Sequence, residues 1–267
     1  MNKVAIFGTG PAGLAAAHAA YLSGYWVVLF SYGFKSQLHG CQYLHQLLPE
    51  LSADVMKTDV RYQLWGTAED YRDKVYGDLW AGKVSPEDLT GEHEAWDIRA
   101  AYDRLWSLYM DGKGRASHYE QRIDSHWLRN YYDVMCRDFD RIISTIPIKS
   151  ICTSPASHTF LGNEVWAIGD SLDKSQLSPV TAPSDTIICN GLESPSWYRA
   201  SSVFGMATAE WPGNVRPPIP GMARVIKPLY TDCDCWLEIH RMGRYGAWKK
   251  GALVHDVFNE TMELLSK

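Results

Sequence analysis

The chain has 267 residues, of which 26 are lysine or arginine and 31 are aspartate or glutamate, giving a net charge of −5. This length suits one large domain, or one domain with an insertion. A protein with this net negative charge does not attract nucleic acid or anionic membranes through its overall electrostatic field. A local basic groove is still compatible with the net charge. No uncharged apolar stretch reaches the roughly 18 residues of a membrane span, so we expect a cytoplasmic protein.

The first residues predict a nucleotide-binding βαβ unit. Apolar stretches at residues 3–7 and 26–30 are typical of buried parallel strands. Between them, small residues predict a helix that begins at Pro11 and runs to about Ser23. The strand and the helix are joined by a G-x-G-x-x-G motif, in the context that a dinucleotide-binding turn requires.

The residues of this turn have separate expected tasks. Gly8 makes the tight turn, Gly10 lets the backbone approach a pyrophosphate, and Gly13 lets the helix and the strand pack closely. Pro11 and Ala12 complete the predicted cofactor-binding loop at the start of the helix, where free N–H groups and the helix dipole favour phosphate.

The residue that ends the second strand leaves the type of dinucleotide open. An acidic residue normally binds the ribose at this position, but here the chain has Ser31, followed by Lys35. One explanation is a cationic site for the 2′-phosphate of NADP. The other is a flavin protein that holds the adenosine ribose with hydroxyl groups and the lysine.

The remaining chain predicts alternating strands and helices after a loop at residues 35–51 that crosses a ligand. Five prolines between residues 211 and 230 indicate an ordered loop or a boundary rather than a regular element. The predicted strands are 59–66, 139–146, 164–168 and 184–190, and the predicted helices are 67–76, 95–110, 124–136 and 253–266.

The C-terminal stretch GRYGAWKKGALVHD, residues 243–256, resembles the closing motif of flavoproteins in the UDP-galactopyranose mutase and amine oxidase group. In that group a Gly-Arg pair meets the FAD pyrophosphate, an aromatic residue lies beside the isoalloxazine, and the last helix starts at the flavin carbonyl. The resemblance implies FAD as the cofactor. The residues that it places at FAD are Gly243, Arg244, Tyr245, Gly246, Trp248, Leu253 and Val254.

Two further stretches, 141–147 and 36–45, resemble segments of the same group, and the second implies flavin contacts at Gly40, Gln42 and His45. More narrowly, GCQYLH, AWDIR and ESPSWYRAS resemble short flavoproteins of bacteriophages. That resemblance implies oxidation of an amine or amino-acid-like group on a nucleotide or DNA base during phage DNA hypermodification, in the host cytoplasm.

Three residues are candidates for the chemistry. His45 is a candidate base, because an unperturbed histidine has a pKa of about 6.5. Tyr198 and Arg199 are candidates for stacking on a base and clamping an anion. The alternatives are a structural histidine, and an arginine paired at the surface with Glu193 or Asp185.

Two other patterns bear on cofactors. Asp170 ends a predicted strand and is the alternative to Arg244 as the second cofactor contact. Cys233-Asp-Cys235 is too isolated in the sequence for a zinc site, so we expect reduced thiols and no metal.

Together these patterns predict an α/β protein with a Rossmann-type FAD-binding three-layer fold and a small inserted, partly helical substrate region. Residues 1–50 and 140–267 would form the FAD-binding domain, and 51–139 the substrate or cap region. The expected activity is FAD-dependent, amine-oxidase-like oxidation of a small-molecule or nucleotide-linked amine. The alternatives are a non-redox flavin enzyme of the mutase type and an NADP-dependent reductase. The net charge does not indicate DNA, and no membrane partner is expected.

Overall fold

Two β-sheets organise the computed structural model, which describes residues 1–40, 43–112, 114–168, 182–215 and 219–267. The strands are β1 (Lys3–Phe7), β2 (Trp26–Ser31), β3 (Lys57–Trp65), β4 (Gly91–Trp96), β5 (Ala116–Glu120), β6 (Arg141–Ser144), β7 (Phe160–Ala167), β8 (Thr186–Asn190), β9 (Arg199–Val203), β10 (Met206–Pro212), β11 (Ala223–Thr231) and β12 (Ile239–Arg241). The helices are α1 (Pro11–Leu22), α2 (Ala68–Tyr76), α3 (Ile98–Tyr109), α4 (Ser125–Asp138), α5 (Ile148–Ile151), α6 (Gly243–Gly246) and α7 (Val254–Leu265). None of the helices in these described ranges has the length and apolar character needed to cross a bilayer.

The first sheet is parallel throughout, in the order β12-β6-β1-β2-β5. Alternate residues of its central strands point to opposite faces, as the period of a strand requires. Val4 and Ile6 pack with α1, α3 and α7 on one face, whereas Ala5 and Phe7 pack with α4 and α5 on the other. The sheet therefore lies between two helical layers, and the predicted Rossmann-type three-layer class is confirmed.

The second sheet is mixed, in the order β11-β7-β10-β9-β8-β3-β4, and only the β3–β8 pair is parallel. Its strands come from residues 57–96 and 160–231. Sheet membership therefore crosses the predicted boundary at residue 140, because β8 pairs with β3 of the predicted cap region and β7, β9, β10 and β11 continue the same sheet. The division into domains stays a prediction.

The helix predictions at 95–110 and 124–136 agree with α3 and α4, and both helices begin at an aspartate that caps them. The Asp97 side chain accepts hydrogen bonds from the backbone of Arg99 and Ala100, and Asp124 accepts one from Trp127. Such a cap accepts a hydrogen bond from backbone N–H groups of the first turn, for which the helix itself offers no acceptor.

The prediction of an irregular segment at 211–230 is wrong at both ends, because β10 reaches Pro212 and β11 begins at Ala223. Pro228 is tolerated within β11 for a positional reason. Pro228 lies at a register irregularity in β11, and β11 is an edge strand that pairs only with β7 in the described sheet. A proline at such a position breaks no required ladder hydrogen bond.

Candidate functional site

A cavity of about 990 Å³ lies between the two sheets. Its lining includes the glycine-rich turn after β1, the end of β2, residues of β3, β9 and β11, and the segment from Gly243 to the start of α7. This volume is at the upper end of the range of about 300–1,000 Å³ for ligand pockets. Both ends of the chain therefore contribute to one site.

The glycine-rich turn has the geometry that its sequence predicts. Gly8 has a φ of +100°, and its N–H donates to the carbonyl oxygen of Phe30 at 3.0 Å. A Cβ on Gly13 would lie 2.0 Å from the carbonyl oxygen of Gly8, so only glycine permits this approach. A Cβ on Gly10 would meet nothing within 4 Å. The backbone at Gly10 is therefore open towards the cavity that it lines.

The start of α1 offers hydrogen-bond donors to the cavity. No side chain caps this helix, and Pro11 occupies its first turn. The N–H groups of Ala12 and Gly13 have no acceptor within the helix, as at any helix N-terminus. The Tyr102 hydroxyl donates to the carbonyl oxygen of Thr9 at 2.8 Å and so anchors the turn to α3. The arrangement suits an anion such as a pyrophosphate.

The end of β2 brings Ser31, but not Lys35, to the cavity. The Ser31 hydroxyl lies 3.0 Å from Nε2 of His118 and accepts a hydrogen bond from the N–H of Gly33. Lys35 forms an ion pair with Asp103 and is absent from the cavity lining. The cationic site that a 2′-phosphate would need is therefore not formed by Lys35.

The segment after β12 meets the glycine-rich turn directly. A Cβ on Gly243 would lie 3.2 Å from the Cβ of Ala12. Arg244 and Tyr245 also line the cavity, and the Tyr245 hydroxyl donates to the carbonyl oxygen of Ile226 at 3.0 Å. Further along, Leu253 and Val254 line the cavity at the start of α7.

Gly246 and Trp248, which the resemblance places at the cofactor, are not part of the cavity lining. A Cβ on Gly246 would lie 2.3 Å from the carbonyl oxygen of Ser144, so this glycine permits close packing on β6. The Trp248 indole N–H donates to the carbonyl oxygen of Leu161 at 2.8 Å, and the ring is buried in the core. Gly246 therefore packs the C-terminal segment against β6, and Trp248 connects it to β7 by a hydrogen bond.

Gly40 and His45 line the cavity, whereas Gln42 and Asp170 lie outside the described residues. Gly40 has a φ of +64°, and its missing side chain leaves room for a glutamate of the second sheet, Glu210. Burial is the main cause that lowers the pKa of His45 to about 4, and the neighbouring His255 contributes in the same direction. The His45 imidazole is therefore neutral at pH 7.

A buried ion cluster of Arg199, Glu210 and Lys227 forms the wall of the cavity on the second sheet. Arg199 and Glu210 are directly opposite each other on β9 and β10, with Nε and Oε2 3.3 Å apart. Lys227 on β11 reaches across β7, and its Nζ lies 2.6 Å from the same oxygen. Glu210 is fully buried, while Arg199 and Lys227 both line the cavity.

The pKa values in this cluster follow from burial and from neighbouring charges. Burial opposes ionisation of Glu210, but Lys227 and Arg199 outweigh it and lower the pKa of Glu210 to about 2. Burial lowers the pKa of Lys227 to about 8, although Glu210 opposes this shift. At pH 7 the three groups therefore carry one net positive charge.

Tyr198 lies beneath the cavity wall rather than in it. Its side chain is fully buried, and its hydroxyl accepts a hydrogen bond from Nζ of Lys227 at 2.9 Å. The structure therefore does not bring Tyr198 to the cavity for base stacking. Arg199 lines the cavity, and the expected alternative pairing with Glu193 or Asp185 is replaced by the buried pair with Glu210.

Sequence reasoning missed Glu210 and Lys227, and also the pair of Tyr43 and Tyr62, whose hydroxyl groups are 3.0 Å apart. The available signal was a single charge inside an otherwise uncharged strand, Ala-Thr-Ala-Glu210-Trp. A charged residue at a buried strand position needs a partner. Nothing in the sequence indicates that the partner lies on β11.

The sequence matches no protein-family model and no curated protein. Solved structures share the fold. A 2-methyl-3-hydroxypyridine-5-carboxylic acid oxygenase matches with a TM-score of 0.51 at 10% identity, over 99% of this chain and 87% of its own. A tryptophan 6-halogenase from Streptomyces toxytricini matches with a TM-score of 0.52 at 9% identity, over 100% of this chain and 71% of its own. Similarity at this level shows the fold alone, so the narrower resemblance to mutases, amine oxidases and phage flavoproteins stays a prediction.

Proposed function

We propose that this chain is an FAD-dependent oxidoreductase that oxidises an amine or amino-acid-like group on a substrate that also carries an anionic group. One observation carries the proposal. A single cavity joins the glycine-rich turn, the segment after β12 and the buried cluster of Arg199, Glu210 and Lys227. A dinucleotide bound at the turn and an anion bound at the ion cluster would therefore share the same space.

The cavity residues fit FAD. The open backbone at Gly10 and the N–H groups at the start of α1 suit its pyrophosphate. Ser31 is available for the adenosine ribose, and Arg244 for the pyrophosphate or ribityl oxygens. The start of α7, at Leu253, would direct a positive helix end towards the flavin. When bound, FAD would supply a two-electron acceptor for a hydride.

The ion cluster suits substrate binding. Its net positive charge, in a partly dehydrated wall, would bind a carboxylate or phosphate, and Arg199 offers the fork geometry that such groups prefer. The same charge would disfavour a nearby ammonium and so favour the neutral amine, which is the form that can be oxidised. Neutral His45 adds no positive charge and can hydrogen-bond the amine.

The narrower form of the proposal is an amine carried by a nucleotide or DNA base. It is supported by four tyrosines of the lining, because aromatic rings provide stacking surfaces for a flat base. These residues are Tyr43, Tyr62, Tyr71 and Tyr76.

The test begins with mass spectrometry of the cofactor released by heat from the purified protein. The holoprotein is then mixed without oxygen with amino acids and with aminated nucleosides, and bleaching of the flavin absorption is followed. FAD release and bleaching by an amine support the proposal, whereas release of NADP contradicts it. Bleaching by NAD(P)H alone would indicate a hydroxylase instead. Turnover only after dithionite reduction would indicate a mutase.

Arg244→Ala is expected to weaken FAD binding by about ten- to a hundredfold. The reason is the loss of a charge-assisted hydrogen bond to FAD, worth about 1.5–3 kcal/mol. Flavin occupancy is measured by absorption after gel filtration. Arg224→Ala is the matched control, since Arg224 is exposed and pairs with Glu164 outside the cavity lining. Equal occupancy in both variants would place the second cofactor contact elsewhere.

The KM for an anionic substrate is expected to rise as the pH increases through about 8, because Lys227 then loses its charge. Lys227→Met is expected to have a high KM at every pH, and its KM should not change as the pH passes through about 8. Lys249→Met, at an exposed position paired with Glu260, provides the control. A wild-type profile in Lys227→Met would show that Lys227 does not bind the substrate anion.

A further inference from the structure

Four potential metal ligands meet outside the cavity. The ligand atoms of Cys152, His158, Cys233 and Cys235 all lie within 4.8 Å of one another. None of these residues lines the cavity, so the oxidoreductase chemistry does not account for them. The three cysteines form no disulfide among the described residues.

The distances suit one tetrahedral ion. Sγ of Cys152 lies 3.9 Å from Sγ of Cys235 and 3.1 Å from Nδ1 of His158. The same nitrogen is 4.0 Å from Sγ of Cys235. A tetrahedral zinc ion with Zn–S bonds of about 2.3 Å and a Zn–N bond of about 2.0 Å requires S–S separations of about 3.8 Å and S–N separations of about 3.5 Å. The S–S separation of 3.9 Å is close to the first value, and the S–N separations of 3.1 and 4.0 Å lie on either side of the second.

The surroundings of the cluster also resemble those of a metal centre. Nδ1 of His158 faces the thiols, while its Nε2 lies 3.5 Å from a carboxylate oxygen of Asp234. Such a carboxylate orients a ligating histidine through its second nitrogen. The Thr153 hydroxyl lies 3.1 Å from Sγ of Cys235, and the Arg241 guanidinium donates to the carbonyl oxygen of Cys233. The cysteines at 152 and 233 are buried, which limits access of water to the ion.

We propose that Cys152, His158, Cys233 and Cys235 form a structural zinc site. Binding of Zn²⁺ would form three Zn–S bonds and one Zn–N bond, and the three thiol protons would pass to solvent. The centre would carry one net negative charge, close to the Arg241 guanidinium. A closed set of three thiolates and one imidazole is typical of structural zinc and leaves no position for a substrate.

The position of the cluster in the fold indicates a structural role for the ion. Cys152 and His158 belong to the connection from α5, beside the first sheet, to β7 of the second sheet. Cys233 and Cys235 belong to the connection from β11 of the second sheet back to β12 of the first. The ion would therefore link these two connections to each other. Both connections run between the two sheets that enclose the cavity.

This proposal differs from the expectation that Cys233 and Cys235 are reduced thiols that bind no metal. In the sequence these cysteines lie about eighty residues from Cys152 and His158, so their spacing matches no local zinc motif. The fold supplies the two missing ligands.

The test measures metal in the full-length protein, purified without a histidine tag from zinc-supplemented cells, by elemental mass spectrometry. We expect one zinc per chain in the wild type, and a decrease of at least about tenfold in the double variant Cys233→Ser/Cys235→Ser. Cys136→Ser is the matched control, since Cys136 is exposed on α4 and is not one of the four clustered ligands. It should retain the full zinc content.

A second measurement does not depend on the folding of a variant. Wild-type protein stripped of metal by a chelator is titrated with Co²⁺, and tetrahedral thiolate coordination gives an intense visible absorption that zinc then removes. A wild type that contains no zinc and gives no such absorption overturns the proposal. A disulfide between Cys152 and Cys235, detected by peptide mass spectrometry in freshly purified protein, also overturns it. Flavin occupancy is recorded separately, so loss of zinc and loss of FAD remain distinguishable.

Discussion

Gly10→Val is expected to remove the flavin from a protein that still folds. Gly10 has a φ of −68° and a ψ of 176°, an extended conformation that valine adopts readily before proline. Its Cβ would meet no protein atom within 4 Å and would enter the cavity instead. There it would displace the pyrophosphate from the N–H groups at the start of α1. Loss of two charge-assisted hydrogen bonds, at about 1.5–3 kcal/mol each, weakens binding by a hundredfold or more.

The measurement combines flavin absorption after gel filtration with the midpoint of unfolding in denaturant. Stability should change by no more than about 1 kcal/mol, the usual effect at a helix N-cap. Gly13→Ala is the contrasting variant, because its Cβ would lie 2.0 Å from the carbonyl oxygen of Gly8 and must destabilise the fold. Full flavin occupancy in Gly10→Val would contradict a cofactor site at this turn.

Glu210→Gln is expected to lower the free energy of unfolding by about 3–5 kcal/mol. The substitution keeps the shape of the side chain but leaves Arg199 and Lys227 without their buried counter-charge. Removing one partner of a buried ion pair is costly because the other charge stays desolvated. Denaturant unfolding at pH 7 measures the effect. Glu164→Gln, which breaks only an exposed pair with Arg224, should cost no more than about 1 kcal/mol.

A double variant checks the cause of this loss. Lys227→Met removes one of the two buried cations that Glu210→Gln leaves without a counter-charge. Glu210→Gln/Lys227→Met should therefore be more stable than Glu210→Gln alone. The pH dependence gives a further check. The pKa of Glu210 is lowered from 4.5 to about 2, so its stabilising effect is fully present above pH 4.5 and is lost as the pH falls towards 2. The difference between wild type and Glu210→Gln should shrink over that interval, and a constant difference would assign the loss to packing.

The glycine-rich turn could be predicted because part of its geometry is set within a few neighbouring residues. Gly8 has a φ of +100°, which glycine adopts without strain, and Gly13 approaches the carbonyl oxygen of Gly8. The close approach of Gly8 to Thr145 and Ile146, which follow β6, depends on the whole fold. The C-terminal motif was informative only in part. Gly243 and Arg244 line the cavity as expected, but Trp248 packs into the core because its indole N–H pairs with Leu161 on β7. The motif does not reveal which side of the segment faces the cavity.

By itself, the sequence determined the βαβ unit, the helices α3 and α4, and the open backbone at Gly10, because apolar periodicity and turn glycines act over a few residues. Only the tertiary structure decided that the strands from β7 to β11 join the second sheet, and that β9, β10 and β11 assemble the ion cluster. It also decided the meeting of Cys152 with Cys235. These contacts join residues that are distant in the chain. They arise from strand pairing and burial, which depend on the whole fold and leave no local pattern.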